Sequence, residues 1–181
     1  MTSGILLGEL IMVPDVVEVI GFTLFPLIGG IVGPILVKND SNTEWYNNLN
    51  KPWFDPPEWV FGPVWTVLYI MMGYASYLVY KELQGKAGQE FGYTPLYVFY
   101  LQLIVNWIWY PVNFGLHDLA DSALLSVVLL ILVLVTFYLF YQVNAEAGLL
   151  LVPYIAWAAF ATILSFAYYK LNKPYQVVSF L

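Results

Sequence analysis

The chain has 181 residues, of which 61% are hydrophobic and 10% are charged, with a formal net charge of −6. Soluble domains average about 45–50% apolar and about 25% charged residues, so this composition excludes an ordinary soluble protein and predicts an all-α integral membrane protein. The six basic residues are all lysines, too few for a nucleic-acid surface, and the absence of cysteine excludes disulfides and thiolate metal sites.

Residues 1–15 contain no lysine or arginine, so they resemble neither a secretory signal nor a mitochondrial presequence. We expect either an unstructured lead-in or a chain that is targeted by its own helices.

Five long stretches almost free of charge follow, each long enough for the ~20 residues that a helix needs to cross a bilayer. The stretch Leu124–Leu139 is almost continuously apolar, without the alternation of a barrel strand, so we predict helices. The sequence predicts a five-helix transmembrane bundle at residues 16–170, followed by a C-terminal tail at 171–181. The predicted spans are Val16–Val37, Trp59–Tyr80, Pro95–Phe114, Leu119–Val143 and Gly148–Tyr169.

The connection between the first two spans, Lys38–Glu58, is here called the first loop. It is rich in proline and in aromatic residues, which favour a fixed backbone and the headgroup layer, so we predict a structured cap over one end of the bundle. The residues concerned are Trp45, Tyr46, Pro52, Trp53, Pro56 and Pro57.

The distribution of lysines predicts the orientation of the bundle. Four lysines lie in the first loop and the C-terminal tail, and two lie on the opposite side, so the positive-inside rule favours a cytosolic C-terminus. The four are Lys38, Lys51, Lys170 and Lys173, and the two are Lys81 and Lys86.

The sequence offers no catalytic motif and no metal-binding motif, and we assign no catalytic or metal-ligating residue. The single histidine, His117, is interpreted as a turn residue at the interface, and Asp55 and Glu58 as a solvated rim. No predicted span has an ionisable residue at its centre, which disfavours pumps, ion channels and proton-coupled carriers. Any ligand inside the bilayer should therefore be largely apolar.

Polar or aromatic residues recur at helical spacing in three spans. Uncharged amides in a spanning helix need a polar partner or a cavity, so the three stripes either enclose an aromatic pocket or pack the helices together. The stripes are Trp65, Tyr69, Met72 and Ser76; Gln102, Asn106, Trp109 and Asn113; and Trp157, Ala161, Leu164 and Tyr168.

Two weaker patterns concern packing and sterols. Gly29 and Gly33 match the Gly-xxx-Gly spacing for close helix approach, either within the chain or in a homodimer, and the prolines of the first span predict bending. The residues Leu164, Tyr168 and Lys170 fit a pattern proposed for cholesterol contact, which a Tyr/Lys interfacial anchor explains equally well.

Taken together, these residues resemble the translocator protein family, also called tryptophan-rich sensory proteins or the peripheral benzodiazepine receptor, and its animal branch in particular. The resemblance runs in consistent order from Gly21 to Lys170. It is carried chiefly by Trp45-Tyr46, Lys51-Pro52, Pro56-Pro57, Gly62-Pro63-Val64-Trp65, Met72-Gly73-Tyr74, Asn106-Trp107-Ile108-Trp109, Pro153-Tyr154 and Ala156-Trp157.

The resemblance implies a five-helix bundle with a pocket beneath the first loop that binds porphyrins (protoporphyrin IX or haem), cholesterol-like sterols and benzodiazepine-type drugs, with no required cofactor. It implies the mitochondrial outer membrane in animals, or a cell-envelope membrane in a bacterial source. Carried over by position, the pocket residues are Phe61, Trp65, Asn106, Trp109, Trp157, Ala161 and Leu164, and the sterol motif consists of Leu164, Tyr168 and Lys170.

The chain departs from the family pattern at several pocket-related positions. Asp121 stands where many animal members have a pocket-lining Trp, Leu124 and Val128 are bulkier than usual, Tyr110 replaces a Pro, and Phe166 replaces the Tyr of the sterol motif. These departures affect the ligand site and leave the fold unchanged.

The leading functional hypothesis is binding and transfer of apolar ligands. One alternative is light-dependent porphyrin degradation, in which the pigment itself supplies the chemistry because the sequence offers no acid, base or metal. The other is a ligand-sensing scaffold that recruits partner proteins.

Overall fold

Every regular element is helical within residues 15–37, 40–85 and 90–176, which are the residues that the computed structural model describes. In chain order the helices are α1 (Asp15–Val37), α2 (Asp40–Asn47), α3 (Phe61–Leu83), α4 (Thr94–Tyr110), α5 (Leu119–Val143), α6 (Ala145–Leu149) and α7 (Val152–Gln176). A 3₁₀ turn, Glu58–Val60, leads into α3, and one π-helical turn, Pro111–Gly115, follows α4. The all-α prediction is confirmed.

Four helical segments among the described residues are long and apolar enough to cross a membrane: Asp15–Val37, Glu58–Leu83, Leu119–Val143 and Ala145–Lys173. They correspond to four of the five predicted spans. The fifth, α4, has 17 residues, or about 26 Å of helix, which is less than the ~30 Å of hydrocarbon that a span must cross.

Two boundaries differ from the predicted spans because of proline. The third predicted span ran to Phe114, but the α-helix ends at Tyr110 and the chain continues as a π turn, since Pro111 has no N–H to extend the ladder. The last predicted span began at Gly148, whereas the long helix begins at Val152 and holds Pro153 in its first turn, where proline is tolerated.

The short helix α6 fills the interval before α7. The side chain of Asn144 accepts a hydrogen bond from the backbone N–H of Ala147 at 3.0 Å and so caps the start of α6.

The first helix is interrupted at Phe25 and Pro26, as the prolines predicted, whereas Pro34 lies inside its second half. The glycine pair of this helix packs within the chain: a side chain added at Gly29 would collide with Trp107, and one at Gly33 would touch Tyr110. The glycine spacing therefore serves contact between α1 and α4. The homodimer remains a prediction.

The core lies where α5 packs against α4 and α7, with α3 closing the other side. Its most deeply buried side chains are apolar: Met72, Val79, Phe99, Val133 and Phe140. Small hydroxyl residues meet between the helices at one level, where the Thr162 hydroxyl lies 3.2 Å from the Ser126 carbonyl and the Ser126 and Ser165 hydroxyls are 3.0 Å apart. This packing leaves a cavity toward the first-loop end of the bundle.

Some predicted features lie wholly or partly outside the described residues. These are residues 1–14 of the lead-in, Lys38 and Lys86 of the orientation argument, and residues 177–181 of the tail. The described part of the tail, 171–176, continues helix α7.

Gly73 gives a test of the α1–α3 contact. A Cβ at Gly73 would lie against the backbone carbonyls of Phe22 and Thr23, atoms that cannot rotate away. We therefore expect Gly73→Ala to lower the free energy of unfolding by about 1–3 kcal/mol, measured by thermal or denaturant unfolding in nanodiscs. The matched control is Gly62→Ala, because nothing lies within 4 Å of its Cβ position. Equal stability of the two variants would contradict the close approach.

Candidate ligand-binding site

A cavity of about 520 Å³ lies between α1, α3, α4, α5 and α7, and residues of the first loop line one end. Its walls are mainly apolar and rich in aromatic side chains, including Phe61, Trp65, Tyr69, Trp107, Trp109 and Tyr110. Glu58 is the only Asp, Glu, Lys or His side chain among the described lining residues. The cavity can therefore bury a flat apolar molecule, with few charged groups to desolvate.

Tyr69 and Asn106 line the deep end of the cavity and begin a chain of uncharged hydrogen bonds that continues into the core, here called the floor. The Tyr69 hydroxyl donates to Asn106 Oδ1 at 2.5 Å, and Asn106 Nδ2 donates to the Tyr154 hydroxyl at 3.0 Å. Tyr154 then donates to Gln102 Oε1 at 2.9 Å. All four residues are buried, and unpaired polar groups at this depth would cost several kcal/mol each. The network therefore fixes the amide and phenol orientations on three helices.

The opposite end of the cavity, here called the rim, contains a second hydrogen-bonded chain. Tyr168 on α7 donates to Asp55 Oδ2 at 2.8 Å, and its hydroxyl lies 3.1 Å from that of Tyr46. Burial raises the pKa of Tyr46, so its phenol remains protonated at neutral pH. Lys51 lies 4.2 Å above the Tyr46 ring and 3.2 Å from Glu58. The rim thus joins the first loop to α7 through side chains.

A pair of asparagines, here called the clasp, makes a second tie between the first loop and α7. The Asn50 backbone N–H donates to Asn172 Oδ1 at 2.8 Å, and Asn172 Nδ2 donates back to the Asn50 carbonyl at 3.1 Å. The same Nδ2 donates to the Tyr168 carbonyl at 2.9 Å. Asn172 is almost completely buried, so its amide acts as a fixed connector between the loop and the helix.

His117 contacts the first loop through the side chain of Trp45. Its ring stacks on Trp45 with centroids 4.2 Å apart, and its backbone φ of 57° lies in the left-handed region. Burial lowers the pKa of His117, so the neutral imidazole is favoured in the folded protein. The turn interpretation of this residue fits its position between the π turn and α5.

The structure brings six of the seven predicted pocket residues to the cavity wall: Phe61, Trp65, Asn106, Trp109, Ala161 and Leu164. Trp157 is the exception. It lies in a shallow outer groove with Val64, while its ring contacts Phe61 at 5.8 Å, so it supports the cavity wall from behind.

The three helical stripes divide between lining and packing. Tyr69, Asn106 and Asn113 reach the cavity, whereas Met72 and Gln102 lie deeper, with the Gln102 amide 4.0 Å from the Met72 sulfur. Both interpretations of the stripes therefore apply, at different depths.

The residues of the predicted sterol motif face in different directions. Leu164 and Tyr168 are buried and line the cavity, whereas Lys170 is exposed. Phe166, which replaces the motif's tyrosine, is 39% exposed on the outer surface. A single sterol on the outer face of α7 would therefore not contact the Tyr168 hydroxyl.

Sequence reasoning missed several residues that shape the site. Tyr154, at the centre of the floor, was recognised only as part of a motif, and the lining contributed by α1 was not foreseen. Asp55 was interpreted as part of a solvated rim, but the structure corrects this, because it is half-buried and bonded to Tyr168. Only the alternation of prolines with acidic residues in the first loop hinted at such a fixed carboxylate.

Asp121, which takes the place of a family pocket residue, does not line the cavity. It lies exposed in the first turn of α5, where its negative charge interacts favourably with the helix dipole. The preceding Asp118 caps the same turn, because its side chain accepts hydrogen bonds of 2.9 Å from the backbone N–H groups of Ala120 and Asp121.

These features define a helical integral membrane protein with an interior cavity of ligand size. The sequence pattern of the TspO/MBR family matches residues 22–171, so the chain belongs to that family and the resemblance seen in its motifs is confirmed. Membership supports a ligand-binding or sensory role in a membrane.

The chain is also similar in sequence to individual proteins from animals and bacteria. The chain is 40% identical to the Translocator protein of Homo sapiens over 165 residues, which cover 91% of this chain and 96% of the human protein. It is 35% identical to the Translocator protein of Bos taurus over 162 residues, covering 90% and 94% of the two chains. It is 41% identical to the Tryptophan-rich sensory protein of Cereibacter sphaeroides over 129 residues, covering 71% and 77%.

The clasp can be tested by removing its amide. We expect Asn172→Ala to leave the Asn50 N–H without its acceptor and to lower the free energy of unfolding by roughly 1–3 kcal/mol. Hydrogen exchange in the first loop should rise, while that of α3 and α5 should not. Asn48→Ala, which truncates an exposed amide of the same loop, serves as the control. Unchanged exchange in Asn172→Ala would show that the clasp does not hold the loop.

His117 predicts a pH dependence of stability. Because its pKa in the folded protein lies below the ordinary value of 6.5, the unfolded chain binds more protons in the window between the two pKa values. Stability should therefore be complete above pH 6.5 and fall as the pH falls through this window. Thermal unfolding measured from about pH 7.5 to 5.5 tests this. His117→Asn, which tolerates the left-handed backbone, should lose this part of the pH dependence; an identical pH profile in the variant would assign the effect to other groups.

Proposed function

We propose that the protein binds flat, apolar molecules in this cavity and transfers them between the membrane and its partners. The ligand classes are porphyrins such as protoporphyrin IX or haem, cholesterol-like sterols and benzodiazepine-type drugs. The observation that carries the proposal is an aromatic cavity of about 520 Å³ closed by an ordered polar floor. Small-molecule sites usually measure about 300–1,000 Å³ and combine an apolar lining with a few placed polar groups.

The aromatic arrangement supports stacking of a ring system. The Trp65 ring lies 5.5 Å from Tyr69 and 6.0 Å from Tyr154, which holds the indole in place from the core side. Phe61 rests against Trp157, which stiffens the neighbouring part of the wall. A rigid aromatic wall loses little conformational entropy when a ligand binds, and this favours affinity.

The proposal includes the membrane arrangement. We propose that α4, extended by its π turn, crosses the bilayer as a fifth span and that the first loop caps the cavity. Lys51, Lys170 and Lys173 lie at the capped end and favour its placement in the cytosol. The expected location is the mitochondrial outer membrane in a eukaryotic source and an envelope membrane in a bacterial source.

Tryptophan fluorescence tests the site. Titration of the protein in nanodiscs with protoporphyrin IX should give saturable, one-site quenching. Trp65→Phe should weaken the apparent affinity by about fivefold, because a smaller ring gives up stacking area at the cavity wall. Trp53→Phe is the matched control, since Trp53 is 95% exposed on the first loop and should leave the affinity unchanged.

Two outcomes would count against the proposal. Non-saturable quenching that is equal in all variants would mean that the pigment dissolves in the lipid. Saturable binding that Trp53→Phe weakens and Trp65→Phe does not would place the ligand on the outer surface of the loop.

A further inference from the structure

The buried polar side chains of the bundle have hydrogen-bond partners, with one exception. Nine polar residues are buried in the described part of the chain, and eight of them make at least one side-chain hydrogen bond. The ninth is Asn113, which is 7% exposed and whose side-chain amide makes no hydrogen bond to the described residues. Buried polar groups without a partner are rare in native structures, so this amide calls for a functional explanation.

The amide of Asn113 faces the cavity. The fully enclosed side-chain atoms without a partner in the described residues belong to Glu18, Asp55 and Trp157. Both polar atoms of Asn113 therefore keep some accessible surface, although the residue is buried as a whole. Because Asn113 lines the cavity, we infer that this surface is turned toward the cavity interior.

The backbone around Asn113 places it near the first loop. It lies in the middle of the π turn Pro111–Gly115, and π turns of this kind are frequent at functional sites. The next residue, Phe114, has its ring centroid 5.4 Å from that of Tyr46 in the first loop. Asn106 at the floor is seven residues earlier, or about 10 Å along the helix. The cavity thus has a bonded amide at its deep end and an unbonded amide near its other end.

Most other polar groups of the lining are already bonded within the protein. Tyr69 and Asn106 bond to each other at the floor. The Trp109 indole N–H donates to a backbone carbonyl of α5 at 3.0 Å. At the rim, the hydroxyls of Tyr46 and Tyr168 lie 3.1 Å apart. A ligand that needs both a donor and an acceptor would have to break existing bonds at these positions.

The remaining polar groups of the described lining are less suited to such a ligand. Trp65 and Tyr110 have no described hydrogen bond, but an indole only donates and a phenol has a single hydrogen on a single oxygen. Asn47 and Glu58 are exposed, so water competes for their polar atoms. Asn113 is the buried lining residue whose free side chain offers a donor and an acceptor side by side.

We propose that Asn113 anchors the polar edge of the ligand, and that this edge is a neutral lactam, in which an N–H and a carbonyl lie side by side. The inference rests on the proposed function, because it specifies one polar edge for the flat apolar molecules that the cavity binds. Asn113 Nδ2 donates to the lactam carbonyl, and Asn113 Oδ1 accepts from the lactam N–H. A ligand without this N–H leaves a buried acceptor unpaired, and sites of this kind discriminate strongly against such analogues.

The test compares phenanthridinone, a flat tricyclic lactam, with N-methylphenanthridinone, which has the same rings and carbonyl but no N–H. The measured quantity is the Kd of the N-methyl compound divided by the Kd of the lactam, obtained by tryptophan quenching in nanodiscs. This ratio should be about tenfold higher in the wild-type protein than in Asn113→Leu, the order expected when hydrogen bonds between uncharged groups are lost. Partitioning of each compound into lipid is the same for all variants, so it cancels in this comparison.

Two further variants separate the anchor from a structural role. Asn48→Leu makes the same substitution at an exposed position of the first loop and should keep the wild-type ratio. Asn113→Ser lacks the paired donor and acceptor, so it should also lower the ratio, and it decides the question if Asn113→Leu does not fold. Without ligand, Asn113→Leu should unfold at the same temperature as the wild type or higher, because the amide has no partner in the protein to lose.

The outcomes distinguish the inference from the proposed function. A ratio that stays at the wild-type value in both Asn113 variants would overturn the inference and leave ligand binding intact. Saturable binding of protoporphyrin IX without saturable binding of either lactam would do the same. Failure of all three compounds to bind saturably would instead overturn the proposed function, and the inference with it.

Discussion

A polar group inside a bundle surrounded by lipid has to find its partner within the protein, because hydrocarbon offers none. The structure meets this constraint with uncharged groups. Phenols and amides of α3, α4 and α7 bond to one another at the floor of the cavity, and hydroxyls of α5 and α7 bond at the next level. The ion pairs in the described part of the chain lie at the ends of the bundle, where Lys81 meets Asp15 and Glu18, and Lys51 meets Glu58.

The same constraint explains how a cavity can persist between packed helices. The floor network holds Tyr69 and Asn106 at fixed distances, while the rim chain and the clasp join the first loop to α7 on the other side. The helices are thereby held apart at the cavity by bonded side chains at both ends, and apolar packing elsewhere supplies most of the stability. A ligand that enters meets aromatic surface already in position, so little ordering is needed on binding.

The sequence was most informative where one physical effect dominates. Apolar length predicted the helices, and helical spacing together with family resemblance predicted six residues of the cavity wall, among them Trp65 and Asn106. Trp157 lies outside the cavity, because helical spacing tells which residues share a face, but not how far that face turns toward a cavity. The bonds of Asp55 to Tyr168 and of Asn50 to Asn172 could not be predicted. They join residues more than 110 positions apart, and they depend on the path of the loop backbone, which the sequence pattern does not give.

The two ties of the first loop act on the cavity in different ways. The clasp is made of neutral amides bonded to backbone, so it positions the loop regardless of what the cavity contains. The rim chain contains a carboxylate and two phenols that also line the cavity, so any ligand group placed there changes the bonding of Tyr46 and Tyr168. Ligand and loop therefore share the same hydrogen bonds at the rim.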